Sequence, residues 1–145
     1  MCPTRAMRER RFVGIPLDQN TRPDRGGIYV PFFGLDVSVS RSIAMFALKT
    51  GAPIFIATCR RLRGGRYRAV WGDEIPAPET GTRAEREREL TRRCVAAIEK
   101  EIRLDPGSWL WPYRRFKYRP TQDRGGYPSY SKFMPESAPS KEGAS

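Results

Sequence analysis

Residues 53–59 read Pro53-Ile54-Phe55-Ile56-Ala57-Thr58-Cys59, a nearly unbroken apolar run. A strand with one wet face alternates apolar and polar residues, whereas a strand covered on both faces reads as a continuous run. The stretch therefore predicts an α/β fold with a mostly parallel sheet flanked by helices. Working outward, Arg63-Gly64-Gly65-Arg66 supplies a tight turn and Tyr67 to Trp71 returns as a strand, so a hairpin is expected at one edge of that sheet. Upstream, Arg11 to Leu17 reads as a short strand ending at Asp18-Gln19, and Ile28 to Phe33 as a second strand after the turn-rich stretch 20–27. Val39 to Lys49 reads as a helix. Ile43, Phe46, Ala47 and Thr50 follow i, i+3, i+4, i+7 spacing, Ser38 or Ser40 stands where a cap belongs, and Gly51 stands at the C-terminal end.

The longest predicted helix runs from Arg83 to Leu104. Thr82 and Glu85 form a capping box, Leu90, Cys94, Ile98 and Ile102 recur on one stripe, and Asp105-Pro106-Gly107 ends it. The segment Trp109 to Lys117 then mixes aromatics with bases and shows no period. From Thr121 to Ser145 the chain is rich in glycine, proline and serine, with three acids balancing three bases, and a disordered tail is expected there. The division is thus 1–120 for the folded portion and 121–145 for the tail.

A chain of 145 residues allows one domain with a modest core. It carries 27 basic and 16 acidic residues, a net charge of +11, which the even balance of the tail leaves wholly within 1–120. Mean hydropathy is −0.62, and no apolar run approaches the roughly 18–20 residues that cross a bilayer. The basic N-terminus is followed by no apolar core of a secretory signal. Histidine is absent, which removes the commonest general base, imidazole-dependent triads and His-containing zinc sets. Cys2, Cys59 and Cys94 are odd in number and scattered, so neither a disulfide framework nor a metal clip is indicated and a reducing setting fits. No cofactor, metal ligand or catalytic residue is assigned.

Two basic runs stand out: Arg60 to Arg68, with five bases and no acid, and Arg114 to Arg119, with four bases. Such runs are either solvated surface or anion sites, since guanidinium pairs bidentately with phosphate. The aromatics among the second run fit core packing, nucleotide stacking or a lipid interface. Asp18-Gln19 and Phe32-Phe33-Gly34 close two predicted strands, where open α/β sheets bind ligands, although ordinary turn chemistry accounts for Asp18 and Gly34 equally.

The ordered series Val13-Gly14-Ile15-Pro16-Leu17-Asp18-Gln19, Val30-Pro31-Phe32-Phe33-Gly34, Ala47-Leu48-Lys49-Thr50-Gly51-Ala52-Pro53 and Trp109-Leu110-Trp111 with Arg114-Arg115-Phe116-Lys117-Tyr118-Arg119-Pro120 resembles the C-terminal half of the bacterial lipid A biosynthesis (lauroyl/myristoyl) acyltransferases. The likeness covers residues 6 to 120. It implies part of a glycerolphosphate-acyltransferase-like fold at the cytoplasmic face of the inner membrane. The implied reaction moves an acyl group from acyl carrier protein onto a hydroxyl of a phosphorylated lipid A precursor. In that family a His-x4-Asp/Glu motif deprotonates the acceptor hydroxyl. The motif and the membrane anchor fall upstream of the matched portion, and this sequence contains neither.

By resemblance, Asp18 and Gln19 line the active-site crevice. Phe32, Phe33 and Gly34 stand where the acceptor's phosphate-bearing head is held, and Arg60 assists with that anion. Arg114, Arg115 and Lys117 face phosphorylated lipid or an anionic membrane surface. Tyr113 replaces a histidine common in the family. The chain is expected to be inactive alone and poorly stable alone, being a truncated product, one half of a split enzyme whose partner chain supplies the N-terminal half, or a remnant with a binding role. The alternative is a small basic module for RNA or anionic lipid with Trp109 to Lys117 as its contact; nucleic acid is not the expected partner under the first reading.

Overall fold

The structure, a computed structural model, describes residues 3–136. Its longest element is the 22-residue helix Arg83–Leu104. The expected capping box forms: the Thr82 hydroxyl accepts from the Glu85 amide and the Glu85 carboxylate accepts from the Thr82 amide. Leu90, Cys94 and Val95 are completely buried and Ile102 nearly so, which makes one stripe of this helix a wall of the core. Burial pushes the Cys94 thiol up to about 12, so it is an unreactive packing residue. On the wet side, Arg92 and Arg93 bond to Glu89 and hold its carboxyl down to about 2.

With labels in chain order, α1 is Pro3–Arg8, β1 Gly27–Phe32, β2 Leu35–Ser40, α2 Ser42–Thr50, β3 Ile54–Arg61, β4 Tyr67–Ile75, α3 the long helix, β5 Tyr118–Arg119 and β6 Lys132–Phe133. The strands form three two-stranded sheets. β1 pairs antiparallel with β2, and β3 antiparallel with β4. Only the short β5–β6 pair is parallel among the described residues. This corrects the expected mostly parallel sheet. Strands joined by a tight turn must run antiparallel, and a parallel pair requires a long crossover. The apolar run at 53–59 is covered on one face only: Ile54 is buried while Phe55, Ala57 and Cys59 are exposed.

The β1–β2 hairpin was not visible in the sequence because its turn is Phe33-Gly34, both at positive φ (49° and 82°). That turn matches the strand twist, but it suits glycine and not phenylalanine. Phe33 is held there by its amide, which donates to Glu99 Oε2 at 2.8 Å, and by the Arg103 guanidinium 4.7 Å from its ring centre. The strand β2 takes up Val39, so the helix begins later than expected, at Ser42, whose amide donates to Ser40 Oγ. Gly51 ends it as expected, at φ 70° with its amide bonded to Ala47. Arg11 to Leu17, expected as a strand, pairs with no strand among the described residues.

The stretch from Thr121, expected to be a disordered tail, is docked as far as Glu136. The Tyr127 hydroxyl bonds the Asp36 amide and carbonyl, and the Tyr29 hydroxyl donates to the Met134 carbonyl at 2.6 Å. Arg88 pairs with Glu136, and between them they satisfy both backbone groups of Tyr29. The outer edge of β1 is thereby closed by side chains, which a reading of glycine, proline and serine content does not reveal. Residues 137–145 lie outside the described residues. No helix among the described residues is long and apolar enough to cross a membrane.

Candidate functional site

A crevice of about 620 Å³ opens between Pro16–Gln19, β3, the last turns of α3 and Ser108–Tyr113. Each wall follows from local structure. The α3 stripe continues as Ile98, Glu101, Ile102 and Asp105, a helical i, i+3, i+4, i+7 series that points one apolar and one acidic row at the cleft. An acid near a helix C-terminus opposes the dipole unless it is paired. Glu101 is paired: Arg60 Nη2 donates to Glu101 Oε2 at 2.9 Å and Thr58 Oγ1 donates to the same oxygen at 3.5 Å. Trp109 and Leu110 supply apolar surface at the far wall.

The Asp18-Gln19 turn is held from beneath. The Arg115 guanidinium is buried and donates from Nη2 to the Leu17 carbonyl at 3.0 Å. Phe32 lies under the same group, 5.4 Å from it. Burial pushes Arg115 down to about 10, with Tyr113 and Asp18 pulling the other way, so it stays charged at neutral pH. From the side, Asn20 donates its amide to the Tyr113 hydroxyl and its side-chain amide to the Arg114 carbonyl, each at 2.8 Å. Tyr113 is therefore a fixed acceptor that anchors the turn. Asp18 lines the crevice, is exposed, and has no ion-pair partner among the described residues.

Of the residues singled out in the sequence, the structure brings Asp18, Gln19 and Arg60 into one crevice. It places the others elsewhere. Phe32 is core, packed on Trp109 and Phe116 with ring centres 6.0 Å apart in each case. Phe33 and Gly34 form the hairpin turn, where the Phe33 amide already serves the Glu99 carboxylate. Arg114 is exposed over the Tyr130 ring and Lys117 over the Tyr118 ring. Arg115 acts through the Leu17 backbone. Sequence reading missed Glu101, Asp105 and Tyr113. The first two were legible as an acidic row beside the apolar stripe of α3; Tyr113 was noted only as a departure from a family pattern. Among the described residues no group of His, Cys, Asp and Glu gathers as a metal site.

The structure thus defines a mixed α and β domain with an apolar trough edged by a few fixed polar groups, the general form of a small-molecule pocket. The profile of the family described as bacterial lipid A biosynthesis acyltransferase matches residues 3–118, most of the chain and every wall of this crevice. The chain belongs to that family. No curated protein matches it.

Proposed function

We propose that this chain is the acceptor-binding, C-terminal portion of a lipid A biosynthesis acyltransferase. The observation that carries the proposal is the crevice itself, which joins an apolar wall (Ile98, Ile102, Trp109, Leu110) to a polar end (Asp18, Gln19, Arg60) inside the family-matched region. An acyl chain suits the wall. Asp18 and Gln19 orient its hydroxyl, and Arg60 places a positive charge beside the bound molecule while Glu101 fixes its guanidinium.

In acyl transfer from acyl carrier protein, the acceptor hydroxyl gives its proton to a base, its oxygen attacks the thioester carbonyl, and the carrier thiol leaves. The sequence holds no histidine, so an imidazole base must come from residues outside it. The chain on this reading binds and orients the acceptor, and another polypeptide segment supplies the base.

Equilibrium binding of a lipid A precursor to the full chain tests this. Asp18→Asn and Arg60→Gln are each expected to weaken binding by about tenfold, the scale of one lost hydrogen bond to a charged group, with Arg25→Gln unchanged. Binding indifferent to both Asp18 and Arg60 contradicts the proposal.

A further inference from the structure

The β3–β4 hairpin has one face on the core and one face bare. Ile54, Ile56, Thr58 and Arg60 point inward, the last two onto Glu101 of α3. The register sets Ala57 opposite Trp71, Cys59 opposite Ala69 and Arg61 opposite Tyr67, and Phe55 precedes them on the same face. Tyr67 and Trp71 are 65% and 62% exposed, and the exposed Phe12 ring stands 6.4 Å from Trp71. Charge divides along the same hairpin. Arg61, Arg63, Arg66 and Arg68 cluster at the turn, all exposed, and none forms an ion pair with the described residues. Asp73 and Glu74 stand at the opposite end.

From this arrangement we infer that the β3–β4 hairpin is a docking surface for an anionic lipid bilayer, its turn arginines meeting headgroup phosphates while Tyr67, Trp71 and Phe12 enter the interface. Three features favour that partner. Exposed Trp and Tyr beside arginine have the amphipathic chemistry of a headgroup layer. Four unpaired guanidinium groups at one end, each attracted to an anionic surface, orient the hairpin with its turn toward the membrane and its acids away. Finally, both hairpin edges carry unpaired backbone groups, which hydrocarbon does not tolerate, so the contact is shallow and lies at headgroup depth where water reaches them.

A base-stacking platform fits less well. Tyr67 and Trp71 are four residues apart on one strand, about 13 Å at the usual rise per residue, and each faces a non-aromatic partner across the sheet. Phe12 stands nearer to Trp71, but the 49° tilt between those two rings gives adjacent bases no parallel faces to stack on. The inference does not rest on the acceptor-binding proposal, because the turn arginines, Tyr67, Trp71 and Phe12 all lie outside the crevice, which Phe55, Ala57 and Cys59 of the same hairpin border.

The test is co-sedimentation of the full chain with vesicles of phosphatidylglycerol and phosphatidylcholine in equal parts, against phosphatidylcholine alone. Binding is expected only to the anionic vesicles and to fall with added salt. Arg63→Glu with Arg66→Glu is expected to weaken it by at least about tenfold, given roughly 1 kcal/mol per basic residue at such a surface. Tyr67→Ser with Trp71→Ser is expected to weaken it several-fold while the thermal melt stays unchanged. Trp111→Ser with Phe133→Ser, two exposed aromatics elsewhere that do not line the crevice, is expected to leave it intact. Equal binding to both vesicles, indifference to Arg63 and Arg66, loss on changing Trp111 and Phe133, tighter binding to single-stranded RNA at the same salt, or a self-associated chain that Trp71→Ser makes monomeric would each overturn the inference.

Discussion

The two long hairpins begin from similar sequence and end in different surroundings. Ile28 to Phe32 and Ile54 to Cys59 are both apolar runs, each followed by a turn and a returning strand. In β1–β2 the run is buried at nearly every position, packed on α3, with Arg88 and Glu136 closing the β1 edge and Tyr127 bonded to the β2 edge. In β3–β4 burial alternates and the outer face is bare. An apolar run therefore reports that a strand can be covered on both faces, and the rest of the chain decides whether it is. The covered hairpin gives the fold its core, whereas the bare one borders the crevice along β3 and leaves Tyr67 and Trp71 exposed.

The difference is sharpest at the core. Phe32→Ala in β1 removes a ring held among Phe33, Trp109, Phe116 and Arg115, and is expected to cost about 3–5 kcal/mol in urea unfolding. Thr82→Ala strips the cap of the helix both hairpins lean on, and about 1 kcal/mol is expected from the same measurement. Smaller still is the tie between the β1–β2 turn and α3. The Phe33 amide, with Arg103, holds the Glu99 carboxyl below its ordinary range. A carboxyl depressed in the folded state adds stability above its unfolded pKa of about 4.5 and loses it as pH falls through the folded value. Acid should thus loosen this turn, and Glu99→Gln should flatten the acid side of the stability curve measured between pH about 5 and pH about 2. Last, Trp71→Ser on the bare face should change stability by no more than about 0.5 kcal/mol. A loss as large as that of Phe32→Ala would show that the face is covered.

Local chemistry was legible in the sequence where a signal lies within a few residues. The Thr82–Glu85 box, Gly51 at the end of α2 and the Gly64-Gly65 turn all occur as read. The Phe33-Gly34 turn was hidden because phenylalanine at positive φ is set by tertiary bonds to Glu99 and Arg103 and by nothing local. Likewise, neighbours in one basic run part company: Arg114 is exposed and Arg115 buried under the Leu17 carbonyl, a distinction that sequence spacing does not carry. At the candidate site, Asp18 and Gln19 stood out at a predicted strand end and Arg60 at the head of a basic run, and the family pattern joined them into one site. Glu101 was missed because its role exists only once β3 lies beside α3.

The most direct test of the central claim is an acyl-transfer assay with the full 145-residue chain, acyl carrier protein charged with a fatty acid, and a lipid A precursor shown in the same preparation to bind. Bound precursor and no acylated product are expected, because the sequence lacks the imidazole that would deprotonate the acceptor. Sustained transfer by this chain alone would contradict that claim.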